Sequence, residues 1–210
     1  MLRCPQKINY LIISLMPTIN DLELVMSLEK EQDALSAKNA LLEHVTAPLD
    51  FTLSNEASIA LINLLEGSCA ADAAKEVLLS YVKRSGFHEG GKHILCEEAE
   101  NVLFRLLKQE NTFDVAKEIL LEYAKKNFFS EENESTLVRC LSNDNEKVAD
   151  AAEEIIENFL INKLFGDKAE FILAKYLADE KLSPRIWRVL RHFDRSSRLY
   201  FQLKTPIKVV

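Results

Sequence analysis

The amino-acid sequence predicts an all-α fold, arranged as a right-handed α-α superhelix (a solenoid) of about five helix pairs. The composition favours helices, because only five glycines and five prolines occur in 210 residues and a many-stranded sheet needs more turn residues than these. Leucine, glutamate, alanine and lysine are the most frequent residues, and all four are good helix formers. Hydrophobic residues make up 48% of the chain, which is enough to form a core.

A recurring nine-residue phrase indicates that the helices are repeated. It reads AKNALLEHV at 37–45, AKEVLLSYV at 74–82, AKEILLEYA at 116–124 and AEEIIENFL at 152–160. A second phrase alternates with it at 56–65, 98–107, 133–142 and 168–177. Within the third copy, Ala116, Ile119, Leu120 and Tyr123 follow the i, i+3, i+4, i+7 spacing of one helix face. Since a lone amphipathic hairpin leaves that face exposed, we expect the pairs to stack.

The short breaks between the phrases carry residues that start or end helices. Ser54, Ser130 and the dipeptide Asn143-Asp144 offer side-chain oxygens to the amides of a first turn. Gly67 and Gly166 suit the left-handed residue that closes a helix. These signals predict helix pairs near 20–45, 54–85, 95–127, 131–163 and 167–194.

The stretch LSNDNEKVADAAEEII at 141–156 resembles the junction and second helix of a HEAT unit. Asp144 stands at the position of the turn aspartate, and Val148 is followed by Ala151 and Ala152, while Ala149 replaces the usual arginine. A period of 35 to 42 residues with two helices also suits the HEAT/armadillo-like class better than ankyrin or tetratricopeptide repeats. The resemblance implies a superhelix of this class and indicates no specific family.

The sequence divides into three segments. Residues 20–194 are predicted to form the repeat domain, with an N-terminal leader or capping helix at 1–19 and a basic extended tail at 195–210. The apolar run at 10–16 is too short to cross a bilayer, and no small-residue cleavage site follows it. Four widely spread cysteines without a CxxC motif are typical of reduced thiols, so we expect a cytoplasmic location.

The repeated phrase aligns aromatic residues that we expect in the core and charged residues that we expect outside it. Tyr81, Tyr123 and Phe159 share one register, which predicts an aromatic ladder between the helices. Lys75 and Lys117 share an exposed register, and the second helices of such superhelices commonly line a concave binding face. We predict that these lysines contact a peptide or helix partner; the alternative is an ordinary solvated face with weak salt bridges.

An irregular loop with three glycines separates the second and third pairs. The segment 85–93 contains Phe87, which we predict to contact a partner from the tip of the loop. His88, His93 and Cys96 are potential zinc ligands, but their spacing matches no closed zinc site. We therefore predict no metal and no cofactor.

The C-terminal region concentrates positive charge on one helical face. Arg185, Arg188, Arg191 and Arg195 step by three or four residues, and Trp187, the only tryptophan, lies at the edge of the opposite apolar stripe. We predict a partner-binding surface made of these five residues. Three interpretations stay open: the arginines pair with the acidic body while the helix caps the stack, they bind an anion, or the helix lies on a membrane surface.

No catalytic motif is present, since the sequence contains no GxSxG, P-loop, GxGxxG or HExxH pattern. We predict a non-enzymatic protein-protein interaction module that binds a peptide or helix of a partner along the superhelix. The alternative is an adaptor that binds an anion or nucleic acid through the helix of Arg185, Arg188, Arg191 and Arg195, which we call the arginine helix. A HEAT-like DNA glycosylase is a further alternative. The net charge of −7 argues against general nucleic-acid binding. The sequence predicts no membrane span and does not identify the partner.

Overall fold

The computed structural model of the chain describes residues 20–46, 52–84, 94–126, 128–161 and 165–190. These ranges contain α-helices and no β-strand, so the all-α prediction is confirmed. The helices are α1 Asp21–Ser27, α2 Ala34–Thr46, α3 Asn55–Asn63, α4 Ala71–Arg84, α5 Glu97–Leu106, α6 Phe113–Lys126, α7 Glu131–Cys140, α8 Glu146–Leu160, α9 Asp167–Leu177 and α10 Ser183–Leu190. The predicted leader at 1–19 and the tail at 195–210 lie outside the described residues. None of the described helices is long and apolar enough to cross a bilayer.

The ten described helices form two rows. In the odd row α1 contacts α3, α3 contacts α5, α5 contacts α7 and α7 contacts α9. The even row runs in the same way from α2 through α4, α6 and α8 to α10. Each odd helix also packs against the even helix that follows it, which gives five stacked helix pairs. We number these pairs 1 to 5 along the chain, and the four junctions between them likewise.

The core lies between the two rows and contains the stripes that the repeated phrase predicts. Tyr81, Tyr123 and Phe159 are all buried, so the prediction of an interhelix aromatic ladder is confirmed. Phe129, in the segment before α7, has its ring centroid 5.1 Å from that of Tyr123 and 5.6 Å from that of Phe159. The rings of Tyr123, Phe129 and Phe159 therefore form one continuous cluster through pairs 3 and 4.

Most of the predicted helix starts are confirmed. The Ser54 side chain accepts a hydrogen bond from the Ala57 amide at the start of α3, and Ser130 accepts one from the Asn133 amide at the start of α7. For α8 the cap is Asn145, whose side chain accepts from the Lys147 amide. Asn143, two residues earlier, instead accepts from the Asn145 amide, which turns the chain into the helix.

The two glycines behave differently. Gly67 has φ 105° after the short 3-10 turn Leu64–Glu66, as expected of a left-handed closing residue. For Gly166 the prediction is wrong, because this glycine has φ −69° and starts α9 rather than closing α8. Its amide donates to Glu134 Oε2 at 2.7 Å, and a Cβ atom would lie 3.3 Å from that oxygen. A side chain at this position would require the buried Glu134 carboxylate to move by a few tenths of an ångström.

Candidate interaction surface

The even helices carry a ladder of ion pairs on their exposed face. In α2, α4 and α6 a lysine directly follows the aligned alanine of the repeated phrase. Each of these lysines pairs with a glutamate of the next even helix, and that glutamate stands two residues after the aligned alanine of its own helix. The three pairs are Lys38–Glu76 at 2.5 Å, Lys75–Glu118 at 2.6 Å and Lys117–Glu154 at 2.6 Å. Lys75 and Lys117, which we predicted as partner contacts, thus lie on the outer surface and are paired with carboxylates of this chain.

At the fourth junction the signs of the two charges are exchanged. Glu153 occupies the register of the lysines, and Arg188 of α10 donates to both of its carboxylate oxygens, with Nη2 2.8 Å from Oε2. The hydrogen bond to Glu153 raises the pKa of the Arg188 guanidinium above its usual value. Arg185 also pairs with Glu153, and it reaches Glu146 and Asp150 of the same helix. The arginine helix is thereby fixed against the acidic side of α8.

The two arginines differ in how much surface they offer to a partner. The Arg185 side chain is 11% exposed, because three carboxylates and the main-chain oxygen of Leu141 surround its guanidinium. The Arg188 side chain is 48% exposed. These contacts favour the capping interpretation for Arg185, whereas Arg188 is both paired and accessible.

Trp187 takes the register position of the lysines in the last even helix. It follows Ile186, which is buried like Ala152 and Ala116 at the equivalent position. Its side chain is 51% exposed. The ladder therefore ends in an exposed aromatic residue instead of a charged one.

A stripe of leucines runs beside the ladder. Leu42, Leu79 and Leu121 lie at the same register in α2, α4 and α6, four positions after the ladder lysines. All three pack against the core and are half-buried, so each keeps part of an apolar side chain at the surface. In α8 the position is taken by Glu157, where the stripe stops.

Carboxylates connect successive helices of the odd row. Asp21 Oδ2 accepts from the Ser54 amide at 2.6 Å, and Glu100 Oε2 accepts from the Ser130 amide at 3.1 Å. Together with the Glu134–Gly166 bond, these contacts join the first turn of one odd helix to the residue that caps the next one. In each case the carboxylate accepts from the amide of the cap residue, which has no hydrogen-bond acceptor within its own helix.

Glu100 is the centre of a buried network at the third junction. Its Oε1 accepts from the Tyr123 hydroxyl at 2.7 Å, and its Oε2 accepts from Asn133 Nδ2 at 2.9 Å as well as from the Ser130 amide. Burial, followed by the nearby charge of Glu100, raises the pKa of Tyr123 well above its usual value. The phenol thus remains a hydrogen-bond donor.

Glu134 has fewer donors at the fourth junction. Among the described residues, the Glu134 carboxylate accepts a hydrogen bond from the Gly166 amide. Burial raises the pKa of Glu134 to about 7; the Gly166 hydrogen bond opposes that shift, while the charges of Glu131, Glu100 and Glu170 add to it. This carboxyl group therefore titrates near neutral pH.

Several predicted site residues fall outside the described part of the chain. Phe87, Arg191 and Arg195 belong to the segments 85–93 and 191–210, as do His88 and His93. Cys96 is described and is a half-buried free thiol. The described ranges contain no group of three or more His, Cys, Asp or Glu side chains placed to bind a metal.

A cleft of about 490 Å³ opens where the turn between α5 and α6 meets the start of α8. Lys108 and Lys147 line it, together with Glu110 and Asp114. Because the two lysines are matched by two carboxylates, the charge of the cleft selects neither an anion nor a cation.

The leucine stripe and the buried carboxylates were not singled out from the sequence. A signal for the carboxylates exists, because Glu100, Glu134 and Glu170 each stand three residues before a buried leucine of their odd helix, namely Leu103, Leu137 and Leu173. A charge repeated at a core register indicates a buried polar contact rather than a solvated one.

No family model matches the chain, and no curated protein matches it. Among solved structures, the crystal structure of an engineered protein from the Northeast Structural Genomics Consortium aligns with 17% identity and a TM-score of 0.39, covering 82% of this chain and 78% of that one. A second engineered protein from the same consortium aligns with 18% identity and a TM-score of 0.38, covering 83% of this chain and 48% of that one. TM-scores below 0.5 do not establish a common fold, so these two proteins say nothing about the function of this chain.

Proposed function

We propose that the chain is a non-enzymatic interaction module that binds a peptide or helix of a partner protein along its even-helix face. The proposal includes a HEAT/armadillo-like right-handed superhelix for the stacked pairs, and a cytoplasmic location. In such arrays the helices of one row line an extended surface, and the array binds elongated partners there.

The leucine stripe is the observation that carries this proposal. Leu42, Leu79 and Leu121 present half-buried apolar side chains in a line that follows the even row. An amphipathic helix or an extended peptide places apolar residues in such a line and gains its affinity from them. Burial of apolar surface is the main favourable contribution to most protein–protein association.

The ladder defines the polar edge of the same surface. Lys75 and Lys117 are already neutralised by Glu118 and Glu154, so the edge has charged groups but little net charge. A partner that lies on the leucines then meets a rim of paired charges, which contributes more to orientation and specificity than to affinity.

The alternative of an anion- or nucleic-acid-binding adaptor gains less support. Arg185 is enclosed by three carboxylates of α8, and Arg188 is paired with Glu153. Either arginine must give up an acidic partner of its own chain before it binds an external phosphate, and that exchange lowers the affinity.

The proposal is tested with a double variant on the stripe, Leu79→Asp with Leu121→Asp. Affinity capture with mass spectrometry first identifies proteins that bind the wild-type chain, and the purified partner is then titrated by calorimetry. We expect the double variant to bind at least about tenfold more weakly, which corresponds to about 1.4 kcal/mol.

Met26→Asp is the matched control, because Met26 is an exposed apolar residue of the odd row. It should bind as the wild type does, and circular dichroism should show unchanged helix content in both variants. Full affinity in a folded Leu79/Leu121 variant would place the binding surface elsewhere on the molecule.

A further inference from the structure

The cleft at the start of α6 corresponds to a position at the start of α8 that an arginine fills. At the fourth junction the Arg185 guanidinium pairs with Glu146 and with Asp150, whose Oδ1 lies 2.8 Å from Nη2. Its Nη1 lies 3.5 Å from the main-chain oxygen of Leu141. These acceptors come from the end of α7 and the first turns of α8, so this junction contains a guanidinium-binding site that the chain occupies itself.

All three acceptors have counterparts at the third junction. Asp114 stands two residues before the aligned alanine of α6, as Asp150 does in α8. Leu107 directly follows α5, as Leu141 directly follows α7. Glu110 lies in the turn that leads into α6 and supplies the second carboxylate. These counterparts, Leu107, Glu110 and Asp114, line the cleft of about 490 Å³.

The arginine itself has no counterpart at the third junction. Arg185 stands directly before Ile186, the residue of α10 that aligns with Ala152 of α8. The residue before Ala152 is Ala151, which is buried and ends in a methyl group. The third junction therefore repeats the acceptors of the guanidinium site without the arginine that fills it.

The charged side chains that line the cleft are not paired with one another or with the rest of the described chain. Glu110 and Asp114 form no ion pair with any described residue. The same holds for the two lysines of the cleft, Lys108 and Lys147. The half-buried ring of Phe113 lines the cleft beside them. Because a guanidinium stacks on an aromatic face and also donates parallel hydrogen bonds to carboxylates, the ring and the two carboxylates suit an arginine side chain.

We propose that the cleft binds an arginine side chain of the partner protein, as α8 binds Arg185. Lys108 and Lys147 then meet a carboxylate beside that arginine, so the recognised element is an arginine next to an aspartate or glutamate. Such a segment brings both signs of charge and neutralises all four charged groups of the cleft, which a lone cation or anion does not. The third carboxylate around Arg185, Glu153, aligns with Lys117, so the cleft offers the partner's arginine two carboxylates rather than three.

The cleft is close to the leucine stripe. Asp114 stands seven residues before Leu121, which places the two residues on one side of α6 and about 10 Å apart along its axis. A partner segment that lies on the stripe is therefore able to place an arginine in the cleft. The inference rests on the proposed function in one respect, namely that the arginine belongs to the partner that the stripe binds.

A blocked dipeptide, N-acetyl-arginyl-aspartyl amide, tests the cleft without the partner. It is titrated into the ¹⁵N-labelled full-length chain, and the backbone amide chemical shifts are recorded by NMR. We expect saturable shifts at residues 107–114 and 145–147, with a dissociation constant of about 1 mM, because few charge-assisted contacts are available to so small a ligand. The same dipeptide with citrulline, which keeps the shape of arginine and lacks its charge, should bind at least about tenfold more weakly.

Asp114→Asn should weaken the binding of the arginyl dipeptide by at least about tenfold, because it removes one of the two carboxylates. Asp72→Asn is the matched control: Asp72 has the same register in α4 and is exposed, but the turn before that helix, 67–70, contains no carboxylate. The control should bind the dipeptide as the wild type does. Circular dichroism checks that both variants keep the helix content of the wild type.

Three results would overturn the proposal: no saturable shifts at the cleft, equal binding of the arginyl and citrullinyl dipeptides, or unchanged binding in the Asp114→Asn variant. The dipeptide has no apolar side chain for the leucine stripe, so its binding tests the cleft alone. Loss of partner binding in the Leu79/Leu121 variant tests the stripe alone, and the failures of the two proposals are therefore distinguishable.

Discussion

The third and fourth junctions of the stack use equivalent positions, but they differ in how many donors surround the buried carboxylate and in the ion pairs between their even helices. At the third junction Glu100 accepts from Tyr123 of α6, from Ser130 and from Asn133 of α7, while the described ion pair between the even helices is the exposed Lys117–Glu154. At the fourth junction the register of those three donors is occupied by Phe159, Gly166 and Ala169. Glu134 there keeps the Gly166 amide, and the even row gains the network of Arg185 and Arg188.

The difference shows that a repeated position does not have a fixed energetic role. A buried carboxylate stabilises the fold where donors surround it, and it costs free energy where they do not. Two neighbouring copies of one motif therefore respond in opposite ways to the same substitution, which makes the pair of junctions directly testable.

Tyr123→Ala should give the largest effect. The substitution removes a fully buried ring and also the hydroxyl that Glu100 accepts from, so we expect a loss of about 3–5 kcal/mol in the free energy of unfolding. Urea denaturation followed by circular dichroism measures it. Phe171→Ala, at an exposed aromatic residue, should change stability far less; comparable losses would show that the faces of the helices are wrongly assigned.

The pH dependence of stability should separate the two carboxylates. The pKa of Glu134 is raised to about 7 in the folded state, so its contribution is fully present below the unfolded pKa of about 4.5 and is lost as the pH rises through 7. The loss amounts to at most about 3 kcal/mol between pH 4.5 and 8. Glu134→Gln should remove it, so the variant should gain stability relative to the wild type as the pH rises.

Glu100→Gln is the matched control for that measurement. A glutamine offers only one acceptor oxygen to the three donors, so one or more buried donors lose their partner. We expect a destabilisation of about 1–3 kcal/mol at pH 8, where Glu134→Gln is stabilising. Equal signs for the two variants at pH 8 would mean that the donor sets do not distinguish the junctions.

Much of this arrangement follows from the sequence. The helical period and the scarcity of glycine and proline predict the all-α fold, and the aligned stripe predicts the burial of Tyr81, Tyr123 and Phe159. These features depend on local spacing, which a single sequence contains in full.

The polar contacts between pairs could not be predicted in the same way. Gly166 resembles a helix-closing glycine in the sequence, and its true role depends on Glu134, 32 residues away. The pairing of Lys75 and Lys117 with the next helix likewise depends on how far one pair is offset from another. Such offsets arise from packing and are not encoded in the period of one helix.

Exchanging the hydroxyl between Tyr123 and Phe159 should shift the balance between the junctions. Tyr123→Phe leaves the ring in place and deprives Glu100 of one donor, at a cost of about 1–3 kcal/mol. Phe159→Tyr places a donor at the equivalent position near Glu134, and it should stabilise the chain at pH 8 and lower the pKa of Glu134. Destabilisation by both variants would indicate that the space around Phe159 does not admit a hydroxyl.

The even row should show the smallest and most local difference. Lys117 is 31% exposed and has one described partner, so Lys117→Gln should cost less than about 1 kcal/mol and the loss should vanish in high salt. Glu153 is 12% exposed and accepts from both Arg185 and Arg188, so Glu153→Gln should cost about 1–2 kcal/mol. Part of that loss should persist in high salt, because a half-enclosed pair is screened less than an exposed one.

Urea denaturation at low and at high salt measures the stability of both variants. Identical losses and identical salt dependence would show that the arginine helix is held by its apolar side alone, and that the exchange of charges at the fourth junction has no energetic consequence.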